Sequence, residues 1–191
     1  MSRPAVFLDR DGTLIEEHGY LDRLDLIKVF PWTGDALRLL RRAGFATVVV
    51  TNQSAVARGM IDEAFVHEVH RLLDTRLEPA GGGIDRYYFC PHFPTAPVEK
   101  YRQTCRCRKP APGLIEQACR EMDLDPRRSV MVGDRWLDVA CGQAAGIRTV
   151  LLRSGRGPNN GDEPPEGMHA DAILNNLMEA VGWILRTSSR S

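Results

Sequence analysis

Five short apolar segments, each followed by polar residues, most constrain how this chain can fold. They cover residues 4–8, 45–50, 84–89, 129–132 and 148–152. Apolar residues at helical spacing predict helices over residues 34–43, 62–77, 112–122, 138–145 and 171–186. Buried strands that alternate with amphipathic helices are typical of a doubly wound α/β protein. The sequence therefore predicts a mainly parallel sheet with helices on both faces.

The size and charge balance of the chain narrow its functional class. It has 191 residues, 43% of them hydrophobic, and its 25 basic side chains match its 25 acidic ones. This length predicts one domain over residues 1–191, with a mobile Gly/Pro-rich loop at about 155–166. A neutral chain argues against a nucleic-acid binder. Because it shows neither an apolar leader nor a membrane-length apolar run, we expect a cytoplasmic protein that contacts no membrane. We also expect a monomer.

Polar side chains suited to a cation or an anion gather where the predicted strands end. Asp9 and Asp11 flank the end of the first strand, and Thr51 follows the second. Lys109 precedes the helix predicted at 112–122, and Asp134 follows the fourth strand. The carboxyl ends of parallel strands share one edge of a sheet, where such folds bind ligands. Converging carboxylates suit Mg²⁺, and the hydroxyl and ammonium groups suit a phosphoryl group.

The order of these residues resembles the motifs of a known superfamily. The matching segments are Asp9-Arg-Asp-Gly-Thr13, Val50-Thr51-Asn52, Lys109 and Gly133-Asp134-x-x-x-Asp138. Together they resemble the four motifs of the haloacid dehalogenase (HAD) superfamily of phosphohydrolases, over residues 5–152. The resemblance implies a Mg²⁺-dependent phosphomonoester hydrolase with a HAD-like fold and no large cap domain.

The same resemblance implies a role for each motif residue. Asp9 would be the nucleophile that forms an aspartyl-phosphate, and Asp11 would be the general acid and then the general base. Thr51 and Lys109 would hold the phosphoryl oxygens. The residues implied to bind Mg²⁺ are Asp9, Asp11 through its main-chain carbonyl, and Asp134, with Asp138 behind them.

One long segment, residues 90–110, does not fit the alternation of strands and helices. It contains several prolines and has no regular period, which is unusual in a compact domain unless something orders the loop. It holds three thiols and an imidazole: Cys90, His92, Cys105 and Cys107. This donor set matches a closed, structural zinc site, so we expect a zinc-ordered loop that leads into Lys109. We expect Cys119 and Cys141 to be packing residues.

The predicted zinc loop narrows the resemblance to one branch of the superfamily. It is similar to the loop of the heptose bisphosphate phosphatases and the related histidinol-phosphate phosphatases. Adjacent cations at Arg108 and Lys109 favour a substrate with two phosphates, whereas the acidic pair Glu16 and Glu17 would suit an amine. The resemblance implies substrate contacts from Glu17, His18, Gly19, Tyr20, Thr51, Asn52, Gln53, Ser54, Arg108, Lys109 and Arg135.

These features predict a phosphatase of carbohydrate metabolism. Its expected reaction removes the 7-phosphate from D-glycero-D-manno-heptose 1,7-bisphosphate, with Mg²⁺ and a structural Zn²⁺ as metal cofactors. The alternative is a histidinol-phosphate phosphatase. A phosphotransferase and an inactive binding module are further alternatives, and the sequence leaves the anomer preference at C1 open.

Overall fold

A parallel sheet runs through the centre of the protein. The computed structural model describes residues 2–156 and 163–188, and within them the sheet has six strands. They are β1 Arg3–Leu8, β2 Ala46–Asn52, β3 Arg86–Cys90, β4 Leu124–Gly133, β5 Arg148–Leu152 and β6 Ala172–Leu174. Their spatial order is β3-β2-β1-β4-β5-β6, so the direction of winding reverses between β1 and β4. Ligands of doubly wound folds bind at such a reversal.

Helices cover both faces of this sheet. The α-helices of the described residues are α1 Thr33–Arg42, α2 Ser54–Ala57, α3 Glu63–Leu77, α4 Gly113–Met122, α5 Trp136–Ala144 and α6 Leu177–Ser188. Short 3₁₀ turns cover Leu24–Leu26, Glu78–Ala80 and Glu99–Tyr101. No helix in these parts of the chain has the length and apolar character that a membrane span requires.

Alternation along β1 divides the buried side chains between two cores. Val6 and Leu8 pack in a core with α1, α3 and α6, whereas Ala5 and Phe7 pack in a second core with α4. Cys141 of α5 lies in the second core, and Cys119 packs against the edge of that core. The predicted doubly wound, parallel α/β architecture with helices on both faces is therefore confirmed. The single domain over residues 1–191 stays a prediction.

The chain near its end differs from the helix predicted over 171–186. A strand, β6, comes first and pairs with the edge of β5, with Ala172 opposite Val150. The helix α6 follows, and the Asn176 side chain accepts a hydrogen bond from the Glu179 N–H at its start (3.1 Å). A short apolar run fits either structure, and pairing with the β5 edge decides the outcome. Residues 157–162 of the loop predicted at 155–166 lie outside the described residues.

The helix α3 packs on β3 through a buried histidine. His70 is 4% exposed, and its ring stacks on that of Tyr87 with 4.2 Å between ring centres. Burial, and then the nearby positive charge of Arg10, lowers the pKa of His70 to about 3. The ring is therefore neutral at physiological pH.

We predict that acid weakens the fold through His70. Its pKa falls from 6.5 to about 3 on folding, so the unfolded chain takes up the proton first as the pH falls. The stability that neutral His70 contributes above pH 6.5 is therefore lost as the pH falls toward the folded-state pKa of about 3. His70→Phe should reduce the fall in unfolding free energy between about pH 7.5 and pH 5 by roughly 2 kcal/mol, measured by urea denaturation.

The exposed neighbour of this residue provides the matched control. Arg71→Gln should leave the pH dependence of the unfolding free energy unchanged, because Arg71 is exposed on α3. Identical pH profiles for the native protein and His70→Phe would show that His70 does not carry this effect.

Candidate active site

Loops from four elements meet above the winding reversal of the sheet. Asp9 follows β1, and its N–H donates to the Val132 carbonyl of β4 (3.0 Å), which holds it between the two halves of the sheet. Thr51 is the second-to-last residue of β2 and is buried. The loop before α4 contributes Lys109, and the turn after β4 contributes Arg135, next to the buried Asp134. The resulting cleft has a volume of about 310 Å³.

The residues predicted to contact substrate line this cleft, with one exception. Those at the cleft wall are Glu17, Gly19, Tyr20, Thr51, Asn52, Gln53, Ser54, Arg108, Lys109 and Arg135, together with the predicted catalytic residues Asp9 and Asp11. His18 lies outside the wall, with its imidazole 3.8 Å from the Glu16 carboxylate.

A buried ion-pair cluster lies at the base of the cleft. The Lys109 ammonium is 2% exposed, and its Nζ lies 2.9 Å from Asp9 Oδ1 and 2.6 Å from Asp138 Oδ1. Burial alone lowers the pKa of Lys109, but the carboxylates of Asp138 and Asp9 outweigh it, so the pKa is raised above its ordinary value. Lys109 is therefore charged, and it links the end of β1 to the start of α5.

The backbone of Lys109 is clamped by Asn52. The Asn52 Nδ2 donates to the Lys109 carbonyl, and the Lys109 N–H donates to Asn52 Oδ1, both at 3.0 Å. The amide group of Asn52 is thus engaged within the protein, although its side chain borders the cleft. This geometry makes Asn52 a support for the lysine.

Three buried carboxylates form a site that fits a divalent cation. Oxygens of Asp9, Asp134 and Asp138 lie within 4.8 Å of one another. Burial and the neighbouring charges of Asp9 and Asp138 raise the pKa of Asp134 to about 8. Among the described residues, the buried Asp134 Oδ1 has no hydrogen-bond partner. Oxygen ligands of this kind are the donors that Mg²⁺ prefers.

Glycine permits the close approach of the first motif to this carboxylate. Gly12 has a φ of +79°, and a Cβ atom there would lie 2.4 Å from Asp134 Oδ2. Any larger residue would be strained and would displace the carboxylate. The glycine of the Asp9–Thr13 motif is thus required both for its turn and for the cation site.

Two neighbouring side chains hold the Asp11 carboxylate, and the sequence analysis predicted this contact for neither of them. Arg10, treated as a spacer in the motif, is buried at 1% exposure and donates to both carboxylate oxygens of Asp11. Gln53, predicted to contact substrate, also donates to Asp11 (3.0 Å). No periodicity or spacing in the sequence distinguishes Arg10 from a solvent-exposed turn residue.

Guanidinium groups line the mouth of the cleft. The Arg58 guanidinium carbon lies 4.6 Å from the centre of the Phe93 ring and 5.2 Å from that of Tyr20. Arg108 lies 4.9 Å from the Phe93 ring, and it also donates to the His92 carbonyl (3.0 Å). Sequence analysis identified Arg108 and Tyr20 but missed Arg58 and Phe93. The cations are held by aromatic rings on one side and face the cleft.

The acidic pair of the first loop has internal partners. Glu17 accepts a hydrogen bond from the Gly19 N–H (2.6 Å) and lies 3.5 Å from the Arg156 guanidinium. Glu16 lies 3.6 Å from the Lys28 ammonium. Burial, and then the nearby charge of Asp11, raises the pKa of Glu17. Each of the two carboxylates therefore has a cationic partner within the protein.

A second candidate metal site lies in the loop that leads to Lys109. Donor atoms of Cys90, His92, Cys105 and Cys107 all lie within 4.8 Å of one another. The three sulfurs are 3.0–3.5 Å apart, and the His92 Nδ1 is 3.3 Å from the Cys107 sulfur. Three thiols and an imidazole around one point match the donor set of a closed tetrahedral zinc site.

Known proteins resemble this chain over nearly its full length. A family model described as HAD-hydrolase-like matches residues 106–180. The chain is 39% identical to the D-glycero-beta-D-manno-heptose-1,7-bisphosphate 7-phosphatase of Haemophilus ducreyi, over 96% of this chain and 100% of that protein. It is 41% identical to the protein of the same name from Escherichia coli (strain K12), over 93% and 92% of the two chains.

A solved structure agrees with these relatives. The crystal structure of D,D-heptose 1,7-bisphosphate phosphatase from B. bronchiseptica, complexed with magnesium and phosphate, matches with a TM-score of 0.83 and 28% identity. The match covers 96% of this chain and 99% of that chain. The resemblance inferred from the strand-end motifs and the cysteine-rich loop is therefore confirmed. The chain belongs to the D-glycero-beta-D-manno-heptose-1,7-bisphosphate 7-phosphatase family of HAD-like hydrolases.

Proposed function

We propose that this protein removes the 7-phosphate from D-glycero-D-manno-heptose 1,7-bisphosphate. The names of its relatives support this substrate, and the carboxylate and lysine cluster supports phosphoryl transfer. A cytoplasmic monomer stays a prediction from the sequence.

Asp9 is the proposed nucleophile. A carboxylate oxygen of Asp9 attacks phosphorus, and the bond from phosphorus to the sugar O7 breaks as Asp11 donates its proton to that oxygen. Asp11 then takes a proton from water, which attacks phosphorus and releases Asp9 and inorganic phosphate. Lys109 and Thr51 hold the phosphoryl oxygens throughout, since the Lys109 ammonium lies 2.9 Å from Asp9 Oδ1 and the buried Thr51 lines the same cleft.

The buried carboxylates would hold Mg²⁺ beside this nucleophile. Asp9, the main-chain carbonyl of Asp11 and Asp134 are the proposed ligands, while Asp138 supports Lys109 from below. When bound, the cation neutralises charge on the transferring phosphoryl group. The Asp134 Oδ1, which has no hydrogen-bond partner in the part of the chain that the structure describes, supports this assignment.

The arginines at the cleft mouth are the observation that favours a bisphosphate. Arg58 and Arg108 face the cleft across the Phe93 ring, where they can bind a second phosphate remote from Asp9. A cationic amine would meet like charge there. The carboxylates of Glu16 and Glu17, which would suit an amine, are engaged by Lys28 and Arg156. This arrangement favours the heptose bisphosphate over histidinol phosphate.

Substrate competition tests this proposal. We expect kcat/KM for phosphate release from at least one anomer of heptose 1,7-bisphosphate to exceed that for histidinol phosphate by about a hundredfold, since one charge-assisted contact contributes 1.5–3 kcal/mol. Arg108→Met should lower kcat/KM for the bisphosphate by about tenfold or more and spare p-nitrophenyl phosphate. Arg106→Met is the control, because Arg106 is exposed and pairs with Glu116. A preference for histidinol phosphate would overturn the substrate assignment.

Asp9→Asn tests the nucleophile. An amide cannot form the acyl phosphate, so we expect phosphate release to fall by at least about 10³-fold, while the circular dichroism spectrum stays that of the folded protein. Asp25→Asn, at an exposed carboxylate paired with Arg23, should keep full activity. Turnover retained in Asp9→Asn would remove Asp9 from the mechanism.

We also propose that Zn²⁺ occupies the site formed by Cys90, His92, Cys105 and Cys107 and has a structural role. Metal analysis of protein purified without chelator should find about one equivalent of zinc, because four protein donors leave no open position. Cys107→Ser should lose the metal and lower the thermal unfolding temperature. Cys119→Ser, in the same core but outside the donor cluster, should retain the metal. Zinc-free native protein would contradict the proposal.

A further inference from the structure

We propose that Arg10 and Gln53 are positioning residues that aim Asp11 at the leaving oxygen. The inference rests on the proposed function, in which Asp11 is the general acid. Arg10 Nε donates to Asp11 Oδ2 (3.2 Å) and Arg10 Nη2 donates to Asp11 Oδ1 (3.1 Å). Both oxygens of the carboxyl group are therefore held from one side by a single planar guanidinium.

Gln53 closes this arrangement into a network. Its Nε2 donates to Asp11 Oδ2 (3.0 Å) and to Thr51 Oγ1 (2.9 Å), and its Oε1 accepts from Arg10 Nη2 (2.9 Å). Rotating the amide by half a turn would set donor against donor at Arg10 and acceptor against acceptor at Asp11. Only one orientation satisfies all three neighbours, so Gln53 couples the position of Asp11 to that of Thr51.

The burial of Arg10 makes this network rigid. A guanidinium that is 1% exposed must stay paired, because an unpaired charge in the interior is strongly destabilising. Its ion-pair partner among the described residues is Asp11, at 3.0 Å. Lysine would keep the positive charge but could not donate to both oxygens in one plane. Arg10, the residue between the two motif aspartates, is therefore functional, because it fixes the orientation of the Asp11 carboxyl group.

The proposal predicts a specific kinetic signature. A misplaced general acid lowers kcat/KM most when the leaving oxygen needs a proton, and least when the leaving group is stable as an anion. Phenyl phosphate and p-nitrophenyl phosphate have nearly the same shape but differ in this need. We define the leaving-group ratio as kcat/KM for p-nitrophenyl phosphate divided by kcat/KM for phenyl phosphate. A lost sugar contact leaves this ratio unchanged, since neither compound contains a sugar.

Asn52 provides a matched comparison next to Gln53 in the chain. It clamps the backbone of Lys109, which holds the phosphoryl group whatever the leaving group is. Asn52→Ala should lower kcat/KM for both aryl phosphates by a similar factor and leave the leaving-group ratio unchanged. Two adjacent residues should therefore produce two different signatures.

The experiment measures the leaving-group ratio in the native protein, Gln53→Met, Arg10→Lys, Asn52→Ala and Asp11→Asn. We expect Gln53→Met and Arg10→Lys to raise it by about fivefold to tenfold, and Asp11→Asn to raise it at least as much. Thermal unfolding checks each fold, and Gln53→Met decides the result if Arg10→Lys does not fold.

The outcomes separate the inference from the proposed function. An unchanged ratio in Gln53→Met, with a raised ratio in Asp11→Asn, would overturn the positioning role and leave the general acid in place. An unchanged ratio in Asp11→Asn would overturn the acid role of Asp11, and the positioning role with it. A raised ratio in Asn52→Ala equal to that of Gln53→Met would also overturn the inference, because the effect would not be specific to Asp11.

Discussion

The Lys109 ammonium, buried between Asp9 and Asp138, is the interaction on which the rest of the site depends. A buried cation must be paired, and here one charge holds together the end of β1 and the start of α5. These elements lie in the two halves of the fold, on either side of the winding reversal between β1 and β4. The pairing that holds the proposed nucleophile in place therefore also joins the halves of the fold.

The loop that carries Lys109 has its own supports. The cysteine and histidine cluster gathers the chain just before the lysine, and Asn52 clamps the lysine backbone from β2. The same loop holds Arg108 over the Phe93 ring at the cleft mouth. A metal in the cluster would thus order both the base of the cleft and its entrance, which explains how a long irregular segment can carry a buried charge.

Two consecutive residues at the end of β2 support different parts of the site. Asn52 binds the lysine loop, and Gln53 binds Asp11 together with the buried Arg10. Successive side chains at a strand end point in different directions, so one short segment can reach both groups. This arrangement makes the end of β2 the support for both the phosphoryl-binding cation and the proposed acid.

The sequence by itself determined five of the six described strands, most of the helices, the strand-end carboxylates and the set of donors suited to zinc. Each of these depends on local periodicity, or on residue types that few other structures require in that order. Only the tertiary structure showed the contacts of Arg10, Arg58 and Phe93 and the strand β6. Arg10 and Gln53 are 43 positions apart, and β6 exists because the β5 edge accepts it. Contacts between distant segments leave no period in the chain, which is why only the folded protein shows them.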